Sequence, residues 1–231
     1  MLDQVAVHAE PVPAASQLTV LPFLAAVQGY LDAKQKIPGL RLTMHRVMSR
    51  AGQGYLQQVC AYLGPSDPNW RTKVGRAFPV TQGIIGAAFK DACIWRTKSY
   101  QDISLLHADL ANDAARNNET LDLSKAPISF LAIPFIGASD QPVLILYGEC
   151  AEFNLFADDA KIIDLRSMCV DFCQLLDWLE DQPFPNIRNY PLQKGVPVVD
   201  RETVYQSMQE PWRKLPAPKL VKVFSFNFEN L

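Results

Sequence analysis

Two strongly apolar runs near the middle of the chain constrain its fold more than any other feature. Residues 129–136 and 143–149 are each long enough for one strand, and the segment between them begins with Gly137 and ends with Gln141. Short apolar runs bounded by turn residues are typical of buried strands. The two runs therefore predict a β-hairpin inside a sheet.

Further strands precede this hairpin. Alternation along 40–48 predicts a half-buried strand, with Leu42, Met44 and Met48 on one face and Arg41, Thr43 and His45 on the other. A second alternating run at 55–63 completes a hairpin with it. Segments 75–79, 83–90 and 94–96 then predict a strand, a helix and a strand.

Helices are predicted at both ends of this series. Apolar residues recur at helical spacing in the first, at Val20, Leu24, Val27 and Leu31, with Thr19 as a possible N-cap and Pro22 in the first turn. The last helix begins at Asp158 or Asp159. The stretch from Asp102 to Lys125 is polar and predicts a long loop with at most a short helix. This order of elements predicts an α/β fold, of the α+β type, with an antiparallel sheet.

Composition divides the 231 residues into three parts. We expect a disordered N-terminus at 1–17, a folded domain at 18–181 and a proline-rich extension at 182–231, which contains seven of the 17 prolines. The formal charge of −2 gives no electrostatic reason to expect nucleic acid or an anionic membrane as a partner. No run is long enough for a transmembrane helix, and the start lacks the basic residues of a targeting signal. Five scattered cysteines are typical of reduced thiols, so we expect a cytoplasmic protein.

Three segments resemble parts of the GAF domain family. The sequence GRAFPVTQGIIG at 75–86, followed by Asp102, is similar to the family's segment in which a strand turns into a short helix and leads to an aspartate. FLAIP at 130–134 and FADD at 156–159 are similar to its closing half. The resemblance covers roughly residues 18–180. It implies a six-stranded antiparallel sheet, terminal helices on one face, a small-molecule pocket on the other, and frequent dimerisation through those helices.

The resemblance also indicates candidate ligand-binding residues, because they flank the long loop under which the family holds its ligands. They are Trp95, Tyr100, Asp102, His107, Asp109, Phe130 and Ala132. The alternative is that Trp95 is a core residue of its strand and His107 a solvated loop residue. The combinations typical of bilin-binding and cyclic-nucleotide-binding members are absent, so the cofactor or ligand stays unknown.

Cysteine chemistry is the remaining catalytic alternative. Members that reduce free methionine sulfoxide use cysteines around the pocket, and Cys93 lies near that region, but 83–86 contains none. Cys169 and Cys173 share a helix face and in principle suit a metal, yet they lie on an apolar stripe, which favours core cysteines. We expect a protein that is not an enzyme and holds no metal.

Two features indicate protein contacts. The last helix carries an apolar stripe wider than one sheet requires, which predicts a homodimer through Ile162, Leu165, Phe172, Leu176 and Leu179. The extension contains aromatic residues that a disordered tail would seldom carry, Trp212, Phe224, Phe226 and Phe228. Alternation over 220–228 predicts a strand that adds to a sheet edge in this chain, in its dimer mate or in a partner protein.

Three functions therefore remain open from the sequence. The first is a regulatory sensor of a small molecule that signals through a separate protein. The second is an interaction or dimerisation module whose pocket is vestigial. The third, least favoured, is a cysteine-dependent reductase.

Overall fold

The computed structural model describes residues 8–9, 12, 14–50, 53–64, 73–81, 83–116, 126–137, 139–180, 205–207 and 217–218. Its helices are α1 (Ala14–Leu31), α2 (Gly83–Asp91), α3 (Ile103–Arg116) and α4 (Asp159–Glu180), with a 3-10 turn at Leu155–Ala157. Its strands are β1 (His8–Ala9), β2 (Arg41–Arg50), β3 (Gln53–Gln58), β4 (Arg76–Pro79), β5 (Trp95–Thr97), β6 (Ser129–Ile136), β7 (Pro142–Cys150) and β8 (Tyr205–Ser207). In these described ranges, no helix is both long and apolar enough to cross a membrane.

One antiparallel sheet organises the described residues. Its strand order is β1-β4-β3-β2-β7-β6-β5-β8. The six strands from β4 to β5 form the sheet expected of a GAF-like α+β fold, and the two-residue β1 and three-residue β8 extend its edges. Both predicted hairpins, β2–β3 and β6–β7, are confirmed.

One face of the sheet, called the proximal face here, is covered by α1 and α4. Leu24 and Val27 of α1 and Leu165 of α4 are buried there against Leu42 and Met44 of the sheet. Across the two helices, Phe23 stacks on Phe172 with ring centroids 4.3 Å apart. The predicted position of both terminal helices on one face is confirmed.

The opposite face, called the distal face here, is covered by α2 and α3. Ile85 of α2 and Leu110 of α3 are buried in one cluster with Leu56, Phe78 and Ile145 of the sheet. Strand β2 is therefore buried on both sides, and the prediction of a half-buried strand is wrong. The alternation correctly separated its two faces, but α2 and α3, which are distant in sequence, cover the second one.

Helix α1 begins earlier than predicted. It starts at Ala14, so Thr19 is not its N-cap, and residues 14–17 belong to a helix although the sequence placed them in a disordered segment. Pro22 lies inside the helix rather than in its first turn. A proline there removes the hydrogen bond to the carbonyl four residues earlier. That carbonyl belongs to Leu18, a residue that is 70% exposed overall.

Helix α3 replaces much of the predicted loop. It spans 14 residues, and its apolar contacts come from Leu106 and Leu110, which are fully buried. Asp102 precedes it and accepts hydrogen bonds from the backbone N–H and the hydroxyl of Ser104, which lowers the pKa of that carboxyl group. Asp102 is thus the exposed N-cap of α3.

A glycine-dependent turn brings α2 close to β4. Gly83 begins the helix with a φ of 59°, in the left-handed region that favours glycine. A Cβ atom on Gly86 would lie 2.7 Å from the carbonyl oxygen of Val80. Glycine at these two positions therefore permits the tight turn between β4 and α2.

Part of the proline-rich extension lies against the domain in cis. Tyr205, Gln206 and Ser207 pair with Thr97, Arg96 and Trp95 of β5. Further on, the Pro218 carbonyl accepts a hydrogen bond from the Ile136 N–H of β6 (3.1 Å). A strand of the extension does add to a sheet edge, but at 205–207. The predicted strand at 220–228, with Phe224, Phe226 and Phe228, and Trp212 as well lie outside the described residues.

Candidate functional site

The floor of the candidate site is a row of side chains that crosses the distal face. Register pairs Trp95 with Ala132, Ala132 with Tyr147, and Tyr147 with Thr43, on strands β5, β6, β7 and β2. Cross-strand partners project to the same face, so these four residues form one line. Ala132, the smallest of the four, is the residue directly opposite Trp95 on β6.

His45 is the polar residue that stands out on this face. It lies two positions after Thr43 on β2 and is fully buried. Neither Nδ1 nor Nε2 has a hydrogen-bond partner among the described residues. Since buried polar groups are normally hydrogen-bonded, an imidazole with both nitrogens unused makes His45 a candidate contact for a bound molecule.

Aromatic rings and one cation surround His45. Its ring makes edge contacts with Phe78 and Tyr147, each at 6.0 Å between centroids. Burial, and secondly the charge of Arg76, lowers the pKa of His45 to about 3. The imidazole is therefore neutral at physiological pH and offers one N–H donor and one acceptor.

Trp95 supplies a second unused group. Its Nε1 is buried and has no hydrogen-bond partner among the described residues, although the side chain as a whole is only half-buried. An indole N–H in such a position requires an acceptor. Three strand spacings of about 4.8 Å separate the backbones of β5 and β2. The unused indole therefore lies at the β5 end of the row, and the unused imidazole lies on β2, two residues beyond Thr43 at the other end.

A polar network borders the row beyond Tyr147. The Tyr147 hydroxyl donates to Glu149 (2.5 Å), and Glu149 also forms an ion pair with Arg41. The Arg41 guanidinium lies 5.2 Å from the centre of the Tyr62 ring, and the Lys73 ammonium 5.7 Å from it. These contacts fix Tyr147, which packs against His45.

Tyr100 and Asp109 connect α3 to the end of β5. The Tyr100 hydroxyl donates to Asp109 (2.7 Å), and burial followed by this bond raises the pKa of Tyr100. The Tyr100 backbone N–H donates to the Asn154 side-chain oxygen, while the Asn154 amide donates to the Tyr100 carbonyl. These residues hold the helix that covers the distal face, and Asp109 itself is exposed.

The seven predicted ligand-binding residues therefore separate into two groups. Trp95, Phe130 and Ala132 lie together on the distal face, and Tyr100 packs against the same cluster. The others lie on or beside α3. Asp102 is its N-cap, the hydrogen bond between Tyr100 and Asp109 attaches it to the end of β5, and His107 is half-buried on it. Sequence reasoning missed His45, Tyr147 and Arg76. A histidine in an apolar strand was the available signal, but it was assigned to the polar side of a half-buried strand.

The predicted interface residues are buried within this chain. Four of them are buried in the core that covers the proximal face, namely Ile162, Leu165, Phe172 and Leu176. The side chain of Leu179 lies outside the described residues. The outward surface of α4 carries other apolar residues, Ile163 and Leu175, which are 50% and 47% exposed. The stripe is thus used by this chain's own sheet and α1, and the homodimer stays a prediction.

All five cysteines are buried, and none of them forms a disulfide. Burial raises the pKa of the Cys60 and Cys169 thiols, and raises that of Cys150 to about 12. Cys169 and Cys173 belong to the apolar proximal core, as the sequence favoured. Among the residues that the structure describes, no group of three or more candidate ligands is suited to a metal ion.

The solved structures to which the chain is similar include a reductase and two GAF domains. A type II free methionine-R-sulfoxide reductase from Thermoplasma acidophilum has 14% identity and a TM-score of 0.45, over 69% of this chain and 93% of the other. The GAF domain region of a putative membrane protein from Geobacter sulfurreducens PCA has 17% identity and a TM-score of 0.41, over 69% of this chain and 98% of the other. The phycocyanobilin-bound GAF domain of a cyanobacterial phytochrome has 10% identity and a TM-score of 0.37, over 73% of this chain and 97% of the other.

The sequence itself matches no protein-family model and no curated protein. The fold is GAF-like, as the topology of this chain shows: six antiparallel strands, terminal helices on one face and two helices over the other.

Proposed function

We propose that this protein is a regulatory domain that binds a small molecule on the distal face. The observation that carries the proposal is His45, which is fully buried with both ring nitrogens unused. An unsatisfied buried polar group costs about 1–3 kcal/mol. A bound molecule that hydrogen-bonds to the imidazole removes this cost.

The surroundings of the row define the kind of molecule. The neutral imidazole offers one donor and one acceptor, and the Trp95 indole offers a further donor. Phe78, Ala132 and Tyr147 contribute apolar and aromatic surface. Because the charge of Arg76 acts on His45, a cation is disfavoured there. The ligand is therefore an uncharged or anionic molecule with an apolar body and hydrogen-bond acceptors.

The state of the thiols favours binding over cysteine chemistry. Thiolates are the reactive form, and the raised pKa values of Cys60, Cys150 and Cys169 keep these groups protonated. Cys93, the residue on which the reductase alternative depends, is 2% exposed. Replacement of Cys93 by Ser is expected to leave ligand binding intact. Consumption of free methionine sulfoxide by the wild type but not by this variant would restore the enzyme alternative.

Three aromatic probes test the proposed ligand class. Benzamide carries a donor and an acceptor, benzoate is an anion and benzylamine is a cation at pH 7. Each probe is titrated into the protein while the NMR resonances of the backbone amides are recorded. We expect benzamide and benzoate to bind at the distal face, and the affinity of benzylamine to be at least about tenfold lower. His45→Leu should weaken benzamide binding, because it removes the hydrogen bonds to the imidazole, whereas the control His107→Leu should bind benzamide as the wild type does. If benzylamine binds as well as benzamide, or if His107→Leu is the variant that loses binding, the assignment is wrong.

A further inference from the structure

Strand β5 lies where the candidate site, α4 and the C-terminal extension meet. It contains only Trp95, Arg96 and Thr97. Successive side chains of a strand point to opposite faces, so Trp95 and Thr97 face the distal side while Arg96 faces the proximal side. Three residues thus contact the site, the opposite face and, through their backbones, the neighbouring strands.

The distal side of β5 belongs to the site. Trp95 ends the row of side chains and carries the unused indole nitrogen. The Thr97 hydroxyl accepts a hydrogen bond from the Phe130 N–H of β6 (2.8 Å). A molecule that hydrogen-bonds to the indole therefore restrains β5 directly.

The proximal side of β5 is fixed to the beginning of α4. The buried Arg96 side chain donates to the Phe156 carbonyl (3.2 Å) and pairs with Asp159 in the first turn of the helix. A shift of β5 would displace these contacts.

The edge of β5 is paired with the extension. On its inner side β6 pairs with Trp95 and Arg96, whereas on its outer side β8 pairs with all three residues. The extension thus supplies the longer of the two ladders that hold β5. A strand of three residues has little stability of its own, so its position depends on both neighbours.

We propose that occupation of the distal-face site and docking of β8 on β5 are coupled, so that the C-terminal extension is the element by which binding is reported. The inference rests on the proposed ligand site. A ligand held by Trp95 fixes β5 and strengthens the pairing with β8, and by thermodynamic linkage release of β8 weakens ligand binding by the same factor. The Ile136 N–H also donates to the Pro218 carbonyl, so the extension has a second contact with the domain besides β8.

Proline substitutions in the full-length protein test the coupling. Consecutive residues of an antiparallel strand alternate in whether their N–H points to the partner, so one of Gln206→Pro and Ser207→Pro must remove an N–H from the ladder with β5. The matched controls Gln206→Ala and Ser207→Ala keep both N–H groups. The effective proline variant is expected to bind benzamide about fivefold more weakly than its alanine control.

The reciprocal measurement requires no variant. Saturating benzamide should slow hydrogen exchange at 205–207 of the wild type by about the same factor. Equal benzamide affinity in all four variants, with exchange at 205–207 independent of benzamide, would overturn the coupling. Exchange at 205–207 as fast as in an unfolded peptide would also overturn it, because β8 would not be docked.

Failure of the proposed function is distinguishable from failure of the coupling. If benzamide and benzoate bind to no variant, the ligand assignment fails. The coupling is then judged from the fluorine NMR signal of protein labelled with 5-fluorotryptophan. The signal of position 95 is assigned as the one that Trp95→Phe removes. A signal that moves in the proline variant but not in its alanine control supports coupling between β8 and the site. A signal that stays in place in both proline variants contradicts it.

Discussion

Arg96 lies buried beneath the first turn of α4 and pairs there with Asp159. The Arg96 side chain is 1% exposed and that of Asp159 38% exposed, so the pair joins the core of the sheet to the surface of the helix. The same guanidinium donates to the Phe156 carbonyl in the 3-10 turn before α4. A buried cation fixed in this way sets where the last helix begins relative to β5.

Asp159→Asn tests this attachment. The substitution leaves the buried Arg96 cation without its carboxylate, and we expect the free energy of unfolding to fall by about 1–3 kcal/mol. Asp171→Asn is the matched control, since Asp171 is exposed on the same helix, and its effect should stay within about 0.5 kcal/mol. Urea denaturation measures both variants. Equal stability of the two variants would show that the pair contributes nothing.

The buried imidazole of His45 predicts a specific dependence of stability on pH. Its pKa falls from 6.5 to about 3 on folding, so between these values the unfolded chain binds the proton and the folded chain does not. Stability due to this group is therefore fully present above pH 6.5 and is lost as pH falls, with a limiting slope of about 1.4 kcal/mol per pH unit.

His45→Leu isolates this contribution. Between pH 7 and pH 5 the wild type should lose about 2 kcal/mol more than the variant in urea denaturation. Parallel pH profiles of the two proteins would mean that His45 is not buried in its neutral form.

The sequence predicted the layout of the sheet but not the covering of its distal face. Strands 129–136 and 142–150 were evident because every residue in them is buried, and long apolar runs are strong local signals. The length of helix α3 was underestimated because Leu106 and Leu110 are nearly its only large buried residues, and the rest of its sequence is as polar as a loop. The cap formed by Asp102 and Ser104 was the local signal that could have shown it.

The candidate site was harder to predict, because it depends on contacts between elements that are distant in sequence. Trp95, Phe130 and Ala132 were predicted because they lie on strands beside the segment that became α3, and the structure places them on the distal face. His45 was missed because its burial results from α2 and α3, not from the alternation along β2. A residue's own strand cannot indicate whether a distant helix covers it.

Two glycine substitutions test how closely α2 approaches β4. A Cβ on Gly86 would lie 2.7 Å from the Val80 carbonyl oxygen and 2.8 Å from the Thr81 carbonyl carbon, and backbone atoms cannot easily move. Gly86→Ala is therefore expected to destabilise the protein by about 1–3 kcal/mol despite the better helix propensity of alanine. Gly29→Ala, in α1 with nothing within 4 Å, should instead stabilise it by about 0.5–1 kcal/mol. Thermal unfolding compares them, and a stabilising Gly86→Ala would contradict the packing.

The predicted homodimer can now be tested on residues that are exposed. Ile163 and Leu175 lie on the outward surface of α4 and Leu18 on that of α1, on the side where dimerisation through the terminal helices was predicted. Light scattering at micromolar concentration is expected to give a dimer, and Leu175→Glu should shift it towards the monomer. The neighbouring exposed Gln174→Glu adds the same charge as a control. A monomeric wild type would exclude the dimer.

Side-chain nitrogen resonances of His45 and Trp95 test the central claim most directly. In protein labelled with 15N, the two imidazole nitrogens and the indole Nε1–H report separately whether each gains a hydrogen-bond partner. We predict that saturating benzamide changes the chemical shifts of both His45 nitrogens, in the pattern of a neutral ring that donates from one nitrogen and accepts at the other. It should also change the chemical shift of the Trp95 indole or of its neighbours on the row. Resonances of His45 that stay unchanged while benzamide is bound elsewhere on the protein would contradict a ligand site on the distal face.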